Sequence, residues 1–138
     1  MNISVIDGSN YFKGLLLLIR KDKKVTEEER NLMLRIGKAL GFEIKFIKNA
    51  VQNILDNRYI SVDPPVFPSK ELAEKFIKDG LKLAISDREL HPNEERWLRA
   101  VALSNDIEES WLENEKKEVL QEGDELLHLE AEHIRVQY

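Results

Sequence analysis

The chain contains no cysteine. That excludes disulfides, thiolate nucleophiles and the sulfur ligands of most structural zinc sites. Glycine and proline are scarce, at 6 and 4 of 138 residues, which excludes collagen-like and low-complexity chains and suits long regular elements. Long hydrophobic runs are missing too. The longest, Leu15 to Ile19, is bracketed by Lys13 and Arg20, far short of the roughly 20 residues that cross a bilayer. The start Met1-Asn-Ile-Ser-Val-Ile-Asp7 has no basic region, apolar run or small-residue cleavage site, so a signal peptide is not expected and a cytoplasmic location is. There is no Gly-rich phosphate loop and no nucleophile elbow.

What is present suits one helical domain with a single core: 42% hydrophobic and 34% charged residues in a chain of this length. The net charge of -5 is unevenly spread. From Asn105 onward there are 11 acidic and 3 basic side chains, leaving the residues before it net positive. Such a division suits a solvated acidic helix or an electrostatic contact between unlike faces. Arg20, Lys21, Lys23 and Lys24 cluster where a helix should end, and there they complement its negative pole. An acidic chain is a poor holder of phosphate backbones, so nucleic acid is not an expected partner.

One pattern occurs twice. Asp22-Lys-Lys-Val-Thr-Glu-Glu-Glu29 and Asp87-Arg-Glu-Leu-His-Pro-Asn-Glu94 both run from an Asp to a Glu across a helix start, 65 residues apart. At the same offset Ile36 falls on Val101, Gly41 on Asp106, Phe42 on Ile107 and Ile47 on Leu112. A repeat of this kind predicts an all-α domain built as two pseudo-symmetric three-helix halves. Repeat one is expected over about 9–56, a Pro-rich connector over 57–68, repeat two over about 69–121 and a tail over 122–138.

Within repeat one, Asp7-Gly-Ser-Asn10 should cap a helix whose Tyr11-to-Ile19 stretch is apolar nearly all round, and therefore buried on most sides. Thr26 and Glu29 form a capping box, Leu32, Met33, Ile36, Ala39 and Leu40 the inward stripe, and Gly41 a left-handed stop. A third helix over about 43–56 turns Ile44, Ile47, Val51 and Ile54 or Leu55 inward. Val66 and Phe67 should tuck under the connector. Ser69 caps the fourth helix, which buries Leu72, Phe76, Ile77, Leu81 and Leu83 or Ala84. His91 with Pro92 starts the fifth, whose inner side is Trp97, Leu98, Val101 and Ala102. Asp106 and Glu109 form a capping box for the sixth, and Trp97 and Trp111 are core pieces. After Gly123 the pattern alternates without choosing between helix and strand; a strand would have Ile3-Ser-Val-Ile6 as its partner.

The doubled Asp-to-Glu spacing, together with Phe76-Ile-Lys-Asp-Gly-Leu-Lys-Leu-Ala-Ile-Ser-Asp87, resembles the tellurite-resistance TerB-like family over roughly residues 10–112. The resemblance implies an all-helical domain of two halves, an acidic surface proposed to bind metal ions, and a place in stress responses. Lys23 and Arg88 stand where the family has Gly or a small residue.

From the residues alone, Asp22, Glu29, Asp87 and Glu94 could form an oxygen site for calcium or magnesium between the halves. Alternatively each Glu only supports its helix start and each Asp its turn. Neither segment is an EF-hand loop. His128 and His133 are five apart and should face apart on a single regular element, giving no zinc pair. The expected function is that of a non-enzymatic helical module acting through other proteins or self-association, with a weak acidic cation site. The alternative is an enzyme using a carboxylate-bound divalent cation between the repeats. Self-association would pair the acidic C-terminal segment of one copy with the basic Lys21–Lys24 stretch of another. An exposed aromatic patch around Tyr59 and Phe67 would mark a partner site.

Overall fold

Ser4 starts the first helix. Its Oγ accepts the backbone N–H of Asp7 and donates to the Asp7 carboxylate, so helix α1 runs Val5–Arg20. The cap expected within Asp7–Asn10 therefore lies inside the helix, because the preceding strand β1 (Asn2–Ser4) delivers the chain in extended form straight to Ser4. In this computed structural model, which describes residues 1–21, 24–56, 63–86, 89–122 and 128–138, α1 is followed by α2 (Glu27–Ala39), α3 (Ile44–Asn53), α4 (Lys70–Ala84), α5 (Pro92–Ser104) and α6 (Glu109–Glu122). A 3₁₀ turn at Glu130–His133 and strand β2 (Arg135–Gln137) close the chain. The fold is all-α. The one ribbon among the described residues is parallel, pairing Asn2 with Arg135, Ile3 with Val136 and Ser4 with Gln137.

The offset of 65 persists in the backbone. α2 begins at Glu27 and α5 at Pro92, and they end at Ala39 and Ser104. α3 and α6 begin at Ile44 and Glu109, and Ser4 and Ser69 cap α1 and α4. The helix ends repeat as well. Phe42 N–H donates to Gly37 O, and Ile107 N–H to Ala102 O, both at 2.9 Å. Gly41 and Asp106 both take positive φ, 91° and 57°. Asp106 is thus the left-handed stop of α5 rather than the cap of α6, and Glu109 pairs with Arg99 instead.

α1 is the central rod. Tyr11, Phe12 and the run Leu15–Ile19 are all buried, which is why the helix is apolar nearly all round. α1 packs on α2, α4 and α5, α2 on α3, and α6 on α5 and α4. Lys21 closes α1 and lays its ammonium over the Trp97 ring, 5.1 Å from the centroid. Trp97 is buried and Trp111 half-buried.

Two inward expectations need correction. Ile47, Val51 and, of Ile54 and Leu55, Ile54 are buried, whereas Ile44 faces solvent, because a helix of 10 residues packed mainly on α2 needs only one narrow stripe. On the connector Phe67 is buried but Val66 is 64% exposed. Phe67 N–H donates to Asn105 Oδ1, and Asn105 Nδ2 donates to Pro65 O, so one amide holds this extended segment to the end of α5. Tyr59 lies outside the described residues. No helix among the described residues is long and apolar enough to cross a membrane.

Candidate functional site

Glu29 and Glu94 are the two predicted site residues that the structure describes; Asp22 and Asp87 lie outside the described residues. Each Glu sits in the first turn of its helix and is buried. Glu29 Oε1 accepts the Thr26 N–H at 2.8 Å while Thr26 Oγ1 accepts the Glu29 N–H at 3.1 Å. Glu94 Oε1 accepts the His91 N–H at 3.4 Å. One oxygen of each carboxylate is thereby committed to capping its helix. The described residues hold no group of three or more His, Asp or Glu side chains placed to bind a metal.

A second polar cluster escaped the sequence reading. Asp79 is fully buried on α4 and accepts three hydrogen bonds: from Tyr11 Oη at 2.6 Å, Glu130 N–H at 2.7 Å and Ala131 N–H at 2.9 Å. Beside it Lys82, also buried, donates to His128 O. Burial is the main influence on the Asp79 carboxyl and pushes it up to about 6, against the lowering pull of the Tyr11 hydroxyl, the two tail N–H groups and Lys82. Burial, reinforced by Asp79, likewise raises the Tyr11 phenol well above its ordinary value. A signal for this cluster existed in the sequence. Asp79 follows Phe76 by three residues on the apolar face of an amphipathic helix, a place for a carboxylate only if it is paired. Sealed from water and with its donors all internal, the cluster clasps the tail to α4.

The tail also revises the histidine geometry. His128 and His133 face each other with ring centroids 4.8 Å apart, because a tight 3₁₀ turn lies between them rather than one regular helix or strand. Around them Glu130 meets Lys75 at 3.3 Å and His128 at 3.7 Å, and Arg35 reaches Glu132 at 2.7 Å.

Helix α3 has a groove along each flank. Toward α1, a groove of about 480 Å³ is lined by Phe12, Leu16, Phe42, Phe46 and Ala50, with Ser9, Asn49 and Asn53 as polar points and Lys13 as its one charge. Phe42 stacks on Phe46 at 5.4 Å and tilts against Phe12 at 5.1 Å. Phe46 remains 53% exposed. Toward α2, a groove of about 530 Å³ combines Leu34, Ile47 and Val51 with Arg30, Lys48 and Glu27, and with the amides of Asn31 and Gln52. Of the pair considered for an exposed aromatic patch, Phe67 is drawn into the core by the Asn105 bridge and Tyr59 lies outside the described residues; the exposed ring is Phe46 instead. This geometry stands without external analogy: no family model, curated protein or solved structure matches the chain.

Proposed function

We propose that this chain is a non-catalytic helical module that binds another protein through the outward side of α3. The observation that carries the reading is the cluster of Phe12, Phe42 and Phe46, three rings packed together with the outermost half in water. A helical domain could bury those rings or replace the outer one with a polar residue; retaining a rigid aromatic at the edge of a groove supplies an anchor for a partner. The TerB resemblance gives the module a setting in stress responses, and the net charge of -5 favours protein over nucleic-acid partners; the proposed location is cytoplasmic.

A photo-crosslinking amino acid at Asn49, on the wall of the aromatic groove, tests this in cells expressing the chain. A discrete adduct that disappears with Phe46→Ser, at unchanged thermal stability, is the expected result. Absence of any discrete adduct, or one indifferent to Phe46→Ser, would overturn it.

A cation site is the second reading, supported by two buried glutamates that recur 65 residues apart at equivalent helix starts. Calcium, magnesium and manganese titrated calorimetrically into wild type and into the Asp22→Asn/Asp87→Asn variant decide it. Heat lost in the variant supports the site. No heat with any ion removes it, and with it the metal-dependent enzyme.

A further inference from the structure

The two halves of the chain act as internal controls for each other, and their outer grooves differ. Between α5 and α6 the groove is closed by paired charges. Arg99 and Lys116 each reach Glu95 at 2.8 Å, and both also reach Glu113, at 3.0 and 3.4 Å. All four side chains are half-buried by this lattice. The hydrogen bond from Lys116, together with that from Arg99, holds the Glu95 carboxyl below its usual range against the opposing effect of burial.

Moving back 65 residues places Arg30 at the position of Glu95, Leu34 at that of Arg99, Lys48 at that of Glu113 and Val51 at that of Lys116. Both carboxylates have become cations and both cations have become aliphatic. The lattice cannot form there. The same helix pair instead leaves an open groove of about 530 Å³ with an aliphatic floor. Arg30 and Lys48 are exposed and have no ion-pair partner among the described residues. Glu27, in the first turn of α2, is the one carboxylate in the lining and leaves the groove net positive.

We propose that this groove between α2 and α3 binds an acidic amphipathic helix, which sets an apolar side chain against Leu34 and carboxylates against Arg30 and Lys48. The ligand supplies the charge that half two supplies internally. A groove between two packed helices is the shape a third helix fills, with anchors spaced three and four residues apart. Matched charge then sets orientation and the rate of encounter. The inference deepens the interaction reading and rests on it, while naming a different flank of α3.

The probe is a fluorescein-labelled helical peptide of about 18 residues repeating Glu-Leu-Ala-Ala-Glu, read by fluorescence anisotropy against the full chain, with a Gln-for-Glu peptide as its neutral counterpart. Binding in the micromolar range is expected, weakening with added salt and by about tenfold or more for the neutral peptide. Arg30→Glu/Lys48→Glu should bind at least about tenfold more weakly at unchanged thermal stability, since both positions are exposed. Adding Leu34→Arg transplants the Arg99 arm of the closed lattice, with buried Val51 left in place, and that three-site variant should fold and not bind. Phe46→Ser should bind the peptide as wild type does. Equal affinity for the two peptides, equal affinity of the charge-reversed variant, or no binding up to millimolar peptide would overturn the assignment. Those outcomes leave the aromatic flank to be judged by its own crosslink.

Discussion

Asp79 shows how much can depend on one side chain. A carboxylate with no exposure survives in a core only if its lone pairs are used, and here a phenol and two tail amides use them. Asp79→Ala strands those three donors, so a loss of about 3 kcal/mol or more in urea unfolding is expected. The pH dependence runs opposite to that of most aspartates. Because burial raises this carboxyl from 3.8 to about 6, the folded state keeps a proton that the unfolded chain has already released. Its contribution is therefore complete below the ordinary value and is lost as pH rises through about 6. Relative to Asp79→Asn, wild type should lose about 2 kcal/mol of stability between pH 4 and pH 7 in matched denaturant titrations. A flat difference across that range would mean that the carboxylate stays ionised throughout.

Helix boundaries are where local chemistry speaks most plainly. Thr26, Ser69 and His91 cap as their side chains and spacing suggest, and Gly41 stops α2 in the left-handed conformation expected of it. Asp106 departs from its local motif for an instructive reason. An Asp three residues before a Glu reads as a capping box, yet the same Asp also closes the preceding helix, and the repeat register with Gly41 overrides the local motif. Holding Asp at φ 57° carries strain that Gly escapes. Asp106→Gly should accordingly stabilise the chain by about 0.5–1 kcal/mol, visible as a raised thermal midpoint. Gly41→Ala should destabilise it, because the new methyl group meets the Tyr138 ring as well as the unfavourable φ.

The assembled molecule depends on its two ends meeting. Leu129, Ala131 and Ile134 are buried, β2 pairs with β1, and the 3₁₀ turn completes the environment of Asp79. Deleting residues 128–138 exposes apolar core and leaves a carboxylate buried with two of its three donors gone. A loss of about 5 kcal/mol or more is expected, much of the stability of an ordinary domain. Combining the deletion with Asp79→Leu should recover part of that loss by circular dichroism melting. A truncated chain as stable as the full one would show that the tail is an ornament to the helical core.

Periodicity and capping chemistry are local, so the order of the helices, the doubling at 65 residues and most of the buried stripes can be read from residue types alone. The charge inversion between Glu95 and Arg30, and between Glu113 and Lys48, was equally open to reading, but its meaning required knowing that those positions face each other across a groove. The same holds for the parallel pairing of the termini, the Asp79 clasp and the approach of His128 to His133. Each joins residues far apart in the chain or turns them through an irregular segment. Such contacts depend on how complete helices pack and where the chain returns, which no short window of sequence encodes.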